Sequence, residues 1–373
     1  MSQSKLPMVD IILPYKEHFS DGNAGAVSTI AYSLGSYQTP KPTQSVTIFG
    51  TAIENPKKNV SFIGLSPKSF FWQSRNYAFA KAYLRYLHDA NHTPDIIEVH
   101  GRPQVAMIIA KAMPDSQVTL YLHNDPRDMR GAKTVAEREM LANKLDGIIS
   151  ISSYIESCFY DGLKNKGQYK AKSFVNYSGA QRLIKKPANK AKQIFMAGRM
   201  VPEKGFLEAC LGALPVLLDN PDWKICIAGG KNFTTDILSD YEVRLRDALA
   251  PLGDRAVFLG HRPLSDIREY QQQSEICIVP SLWQEPAGLT VIEALAAGSA
   301  LITTNRGGIP ELATGRALIL DHTEISDFQQ AIARLISSDR DRHALQKQAW
   351  EDYPFSVEAM SQNLEKFRLS LLA

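Results

Sequence analysis

Along the first half of the chain, short unbroken apolar runs alternate with stretches whose apolar residues recur at helical spacing. The runs are Val9 to Leu13, Val46 to Gly50, Ile96 to His100, Val118 to His123 and Gly147 to Ile151. Runs of this length predict strands buried on both faces, because a strand with one wet face would alternate polar and apolar residues. Between them, Ala24 to Leu34, Phe71 to Leu87, Val105 to Met113 and Thr134 to Leu145 predict helices. Such alternation builds parallel βαβ units, so residues 1–180 are expected to form a doubly wound, Rossmann-like α/β domain.

The same pattern restarts after Gln181 to Gln193, a stretch containing Lys and Pro that predicts a linker over 181–192. A second Rossmann-like domain is expected over 193–352. Its strands are predicted at Ile194 to Ala197, Trp223 to Ala228, Ala256 to Leu259, Ile276 to Pro280, Ala300 to Thr303 and Ala317 to Leu320. Its helices are predicted at Gly205 to Leu218, Asp236 to Leu249, Leu264 to Gln272, Leu289 to Ala297 and Ile325 to Ile336. Two such domains are expected to face each other across a cleft, with the chemistry in the loops that follow strands.

Composition narrows the class. A chain of 373 residues with 44% hydrophobic and 22% charged residues has the makeup of globular domains. No segment reaches the roughly 18 consecutive apolar residues of a membrane-spanning helix. The start, MSQSKLPMVDIILPYKEHF, reads as a first strand and not as a secretion signal, so a cytoplasmic location is expected. Cys158, Cys210, Cys226 and Cys277 lack Cys-x-x-Cys spacing and read as reduced core residues. A net charge of +3 is too mild to indicate nucleic acid. Basic residues do concentrate at Lys164, Lys166, Lys170, Lys172, Arg182, Lys185, Lys186, Lys190 and Lys192. That run reads first as a solvated linker face. Together with Phe70, Phe71 and Trp72 beside Lys68 and Arg75, it also raises weak peripheral contact with an anionic membrane surface.

The segment LWQEPAGLTVIEALAAG carries the most specific chemistry. A helix beginning near Gly288 offers unpaired N–H groups and a positive dipole end, a ready seat for a pyrophosphate. Glu285 precedes that helix and Glu293 follows on its second turn, so two carboxylates are available to accept hydrogen bonds from hydroxyls on either side of the phosphates. With Ala300 to Thr303 and the Gly307-Gly308-Ile309-Pro310-Glu311 turn that follow, the segment resembles the donor-binding signature of glycosyltransferase family 4, retaining enzymes of GT-B fold.

The resemblance implies that Glu285 contacts a donor hexose, that Glu293 contacts the ribose, and that the backbone of Gly288, Leu289 and Thr290 holds the diphosphate. Ala287 stands where the family usually has an aromatic residue, which loosens the inference about the donor. In FMAGRMVPEKGFLEA, Arg199 and Lys204 match the family's phosphate-neutralising pair, implying transfer without a metal or other cofactor.

In the first domain, Gly22 and Gly25 match the family's glycine-rich loop, although the usual adjacent Gly-Gly pair is missing. His123 matches the strand-end histidine beside the reacting sugar, and His100, Arg102, Asn124 and Asp125 are expected at the cleft. The terminal stretch from Tyr353, residues 353–373, is expected to return to the first domain as a closing helix.

The implied reaction moves a hexose from a nucleoside diphosphate sugar to a hydroxyl of a glycan or glycolipid, in bacterial lipopolysaccharide or envelope polysaccharide synthesis. The alternatives on the same architecture are a nucleotide-sugar epimerase and a non-catalytic nucleotide-sugar-binding protein. A dinucleotide-dependent oxidoreductase is disfavoured, because no Gly-x-Gly-x-x-Gly follows either first strand.

Overall fold

A computed structural model describes residues 6–20, 25–37, 42–68, 74–164, 166–231 and 237–373. The chain divides into two compact units, Met1–Gly179 with Val357–Ala373, and Ala180–Ser356. Both are Rossmann-like α/β units with parallel sheets.

The first unit runs β1 (Met8–Ile12), α1 (Ala26–Ser36), β2 (Ser45–Thr51), β3 (Ser61–Leu65), α2 (Arg75–Asp89), β4 (Ile96–His100), α3 (Pro103–Ala112), β5 (Gln117–Leu122), α4 (Val135–Lys144), β6 (Gly147–Ser150), α5 (Ser153–Tyr160) and β7 (Lys172–Val175). Among the described residues the strand order is β3-β2-β1-β4-β5-β6-β7. Each buried strand earns its apolar run: Ile96, Ile97 and Val99 of β4 are fully enclosed. The helices start where sequence chemistry dictates, as at Thr134, whose side chain accepts from Glu137 N while the Glu137 carboxylate accepts from Thr134 N.

The second unit runs β8 (Ala191–Gly198), α6 (Phe206–Asp219), β9 (Lys224–Gly229), α7 (Asp240–Leu249), β10 (Ala256–Gly260), α8 (Leu264–Gln273), β11 (Ser274–Val279), α9 (Leu289–Ala296), β12 (Ala300–Thr304), α10 (Ile309–Ala313), β13 (Leu318–Leu320), α11 (Ile325–Ser337) and α12 (Asp339–Glu351). Its strand order is β10-β9-β8-β11-β12-β13. Phe328, Ile332 and Leu335 of α11 join Cys210, Ala213 and Leu217 of α6 in its core. A buried side chain such as Phe328 contributes on the order of 2–3 kcal/mol by leaving water. The last helix, α13 (Val357–Leu372), belongs to the first unit and packs on α1.

In both sheets the chain builds outward from one strand and then returns to its other side. The order reverses between β1 and β4 in the first unit and between β8 and β11 in the second. Loops leaving the carboxyl ends of strands at such a reversal diverge and leave a crevice for ligand.

Several expectations are revised. Residues 181–192 are not a free linker. Arg182 stacks on Trp350 and Tyr353, 4.1 and 4.5 Å from the ring centroids, and Lys190 Nζ donates to the Gln272 and Ala297 carbonyls at 2.8 and 3.1 Å. Strand β8 begins at Ala191, and the Phe355 carbonyl accepts from Ala180 N at 2.9 Å, which ties the stretch before α13 to the second unit. Most of the basic run is likewise engaged, with Lys166 on Glu156 at 2.7 Å, Lys170 on Asp146 at 2.9 Å and Lys192 on Asp222 at 2.5 Å. Lys172 lies within strand β7 and donates to Ser370 O at 2.6 Å. Phe70, Phe71 and Trp72 lie outside the described residues, as does Gly22. The four cysteines are free and buried.

Candidate active site

The loops after β8 and β11 lock together at the reversal point of the second sheet. Gly205 ends the first loop at φ +69°, and a Cβ there would overlap the Pro280 carbonyl oxygen, so only glycine permits this approach. Leu282 N donates to Glu203 O at 3.0 Å, pinning one loop to the other. The product of this packing is an ion pair between Lys204 and Glu285. Glu285 Oε1 also accepts from Ser281 Oγ at 2.8 Å, and Lys204 Nζ stands 5.6 Å over the Trp283 ring. Glu285 is buried to 8% exposure, while Trp283 is 41% exposed. An ammonium has three donors, and the carboxylate has two oxygens, so both groups retain capacity for a ligand.

A second clamp fixes the backbone of Glu285. Gly308 N donates to Glu285 O at 2.7 Å and Gly307 N to Gln284 Oε1 at 2.6 Å. Gly307 has φ +57°, and a Cβ there would overlap Glu285 O. The Gly-Gly-Ile-Pro-Glu segment, expected as a turn, therefore works as a brace and enters the short helix α10. Gly288 follows at φ +101° as the N-cap of α9, with no side chain capping it. The first-turn N–H groups at Leu289 and Thr290 have no intrahelical partner and lie at the positive end of the dipole. Ala287 is buried, and Arg199 is exposed in the loop after β8.

Glu293 points elsewhere. Its carboxylate shares a small pocket with Arg182, Arg268 and Gln271, and the nearest charge is Arg268 Nη2 at 4.0 Å. Burial lifts its pKa to about 7, with Arg268 opposing only in part. Arg268 Nε and Gln271 Oε1 are buried with no hydrogen-bond partner among the described residues. The two signature carboxylates are thus held in separate surroundings, one paired with Lys204 and one poised near neutrality.

In the first unit, Gly25 caps α1, and the Glu17 carboxylate occupies that helix start by accepting from Ser28 N at 3.0 Å. The anion seat there is therefore filled by a side chain of the chain itself. Arg102 caps α3 and donates to Gly101 O at 2.8 Å. Its burial lowers its pKa, and Glu17 and Tyr15 oppose that shift. Asn124 is exposed. Asp125 is engaged by Arg127, which donates from its backbone N at 2.9 Å and from Nη2 at 2.7 Å, and Arg127 also reaches Asp161 at 3.0 Å. Burial raises the Asp125 pKa, but the bonds from Arg127 outweigh it and hold the carboxyl low.

His123 and His100, by contrast, are brought together, with His123 Nε2 2.9 Å from His100 Nδ1. Behind them, His100 Nε2 lies 2.9 Å from Glu98 Oε1, and Glu98 takes two bonds from Arg368 of α13 at 2.9 and 3.1 Å. Ser281, Gly205, Arg268, Glu98 and Arg368 escape the sequence reading. Only Glu98 carried a local signal, a charge inside an otherwise apolar strand.

The fold is the GT-B architecture, and the chain is similar to known glycosyltransferases. Residues 180–352 match the model of the family described as Glycosyl transferases group 1. Among curated relatives, "Putative glycosyltransferase YtcC" of Bacillus subtilis is 29% identical over 273 residues, spanning 68% of this chain and 67% of the relative. The lipopolysaccharide 1,2-N-acetylglucosaminetransferase of Salmonella typhimurium is 22% identical over 273 residues, spanning 68% of this chain and 66% of its own. Among solved structures, Anabaena Alr3699/HepE in complex with UDP and glucose superposes with a TM-score of 0.71 at 17% identity, covering 97% of this chain and 99% of that one. Among the described residues no helix is long and apolar enough to cross a membrane.

Proposed function

We propose that this glycosyltransferase transfers a hexose from a nucleoside diphosphate sugar to a hydroxyl of a glycan or glycolipid, retaining anomeric configuration, as a family 4 enzyme of bacterial lipopolysaccharide or envelope polysaccharide synthesis. The observation that carries the reading is the Lys204–Glu285 pair, held beside the start of α9 at the reversal point of the sheet. In this reading the diphosphate sits on the Leu289 and Thr290 N–H groups, and Lys204 and Arg199 neutralise the charge that grows on it as the sugar departs. Glu285 accepts a hexose hydroxyl, and Glu293 with Arg268 receives the ribose. His123 lies beside the sugar.

The bond from the anomeric carbon to the diphosphate oxygen breaks while the acceptor oxygen bonds to that carbon on the same face. The acceptor proton passes to the departing diphosphate. No protein nucleophile and no metal ion takes part. Lys164, Lys185 and Lys186 are exposed and support weak attraction to anionic headgroups at the cytoplasmic face of the membrane.

A panel of nucleoside diphosphate hexoses, with glycan and lipid-linked acceptors, tests the reading. Transfer insensitive to chelator, giving product of the donor's anomeric configuration, is expected. Inverted product, or activity lost to chelator and restored by magnesium, would overturn the mechanism. Donor epimerised without acceptor would overturn the reaction class.

A further inference from the structure

The chain of side chains behind His123 extends inward from a strand end to the last helix, and each member constrains the proton of the next. Arg368 is 1% exposed and Glu98 is fully buried, so the pair sits out of water. Burial pushes the Glu98 carboxyl up, but the Arg368 guanidinium and the His100 bond more than reverse this and hold it at about 2. An ionised carboxylate only accepts hydrogen bonds, so the His100 nitrogen that faces it, Nε2, carries a proton.

The other His100 nitrogen then has two possible states. A proton on Nδ1 would make His100 a cation, placing two positive charges against one carboxylate in a fully buried cluster. Uncompensated buried charge costs several kcal/mol, so His100 is neutral and its Nδ1 is bare. His123 Nε2, 2.9 Å away, must therefore be the donor. Burial lowers the His123 pKa well below its ordinary value, so His123 is neutral as well. Its remaining nitrogen, Nδ1, is left without a proton. That atom is buried and has no hydrogen-bond partner among the described residues, in a residue only 6% exposed.

The ring cannot readily turn to exchange its nitrogens. Tyr121 stacks on it at 4.6 Å and 18°, and Tyr121 is itself held by Asn176, whose carbonyl accepts from the Tyr121 hydroxyl at 3.3 Å. A buried acceptor left orphaned is destabilising, and a bound donor group would relieve it.

We propose that Arg368, Glu98 and His100 are positioning residues that hold His123 in the tautomer protonated on Nε2 and bare on Nδ1, so that His123 meets a carbohydrate hydroxyl as a hydrogen-bond acceptor. The identity of the ligand rests on the glycosyl-transfer reading; the tautomer does not. The final helix thereby acquires a role in the site besides closing the first unit, through an ion pair spanning 270 positions of sequence.

Nitrogen NMR of the full-length chain labelled with 15N-histidine tests the proposal, with His123 assigned by its loss in His123→Gln. The expected wild-type spectrum has His123 Nδ1 in the range of a bare imidazole nitrogen and Nε2 in the protonated range. Two variants break the relay without leaving a lone buried charge. Glu98→Gln with Arg368→Met removes both charges together, and His100→Phe keeps a ring against Tyr121 while removing both nitrogens. In each, His123 is expected to populate both tautomers, whereas Arg368→Lys, which keeps the charge, should retain the wild-type pattern.

Loss of one such bond predicts a fall of about tenfold in kcat/KM, measured by release of nucleoside diphosphate from the donor panel. A wild-type enzyme that transfers sugar but carries the proton on Nδ1 would overturn the relay and leave the function standing. Bare Nδ1 without turnover of any donor would do the reverse. An unchanged kcat/KM in a variant that has lost the single tautomer would remove the hydroxyl-accepting role.

Discussion

Replacing Glu293 with Gln should stabilise the protein above neutral pH relative to wild type, with the advantage disappearing in acid. The Glu293 side chain is 12% exposed, and Arg268 at 4.0 Å is too distant for a hydrogen bond. Burial accordingly raises its pKa from an ordinary 4.5 to about 7. Between those two values the folded protein holds a proton that the unfolded chain has released. Raising the pH therefore favours the unfolded chain: the contribution is fully present below 4.5 and is lost as pH rises through 7. A displacement of this size is worth at most about 3 kcal/mol, and Gln, having no such proton, is insensitive to that change. Unfolding free energies of the two proteins from urea titrations at about pH 4 to pH 9 should diverge by about 1–3 kcal/mol across the window, in favour of Gln at the upper end. A wild-type-minus-variant difference that stays flat with pH would refute the argument. On the proposed donor reading, ribose hydroxyls donating to the carboxylate favour its ionised form. Nucleotide-sugar binding near pH 7 should then release a proton, seen as a calorimetric heat that varies with the buffer's ionisation enthalpy.

Lys204→Ala and Glu285→Ala should each lower transfer by about 100-fold or more, the scale of removing one preorganised charge. Lys204→Met combined with Glu285→Gln should recover the denaturant midpoint lost in the single variants without recovering turnover, because it removes both charges of the pair. Gly205→Ala should cost several kcal/mol, since the left-handed backbone and the overlap with the Pro280 carbonyl act together. Gly315→Ala, at φ +77° with nothing within 4 Å of a new Cβ, should cost only about 1 kcal/mol by thermal or urea unfolding. Arg182→Ala should destabilise the second unit by about 1–3 kcal/mol, by removing the stack on Trp350 and Tyr353 and the 2.5 Å bond to Trp350 O.

What could be read from the chain follows from what each signal reports. Apolar periodicity reports buried faces, so the fully enclosed strands and the amphipathic α11 were legible. The half-exposed edge strand β3 was not, and neither was α12, whose buried positions are only Arg342 and Ala349. Arg342 holds that helix to the sheet through Glu275 at 3.0 Å, a contact that leaves no apolar stripe. Lys204 and Glu285 each stood out in loops beside conspicuous glycines and prolines, but that they pair with each other was not legible. Within the basic run, most lysines stay exposed as a solvated face would have them, but composition says nothing about where a given ammonium goes, and Lys190 goes inward to three acceptors.

Charges embedded in buried strands form an intermediate case. Asp10 interrupts the apolar run of β1 and Glu98 that of β4, and burying a carboxylate demands a partner, so each position announces that one exists. Asp10 finds Tyr83 at 2.6 Å and His92 at 3.0 Å, and Glu98 finds His100 and Arg368. The need for a partner is local and can be read from a single strand. Which residue answers it depends on how strands and helices distant in sequence come together, and that is where the relay behind His123 was hidden.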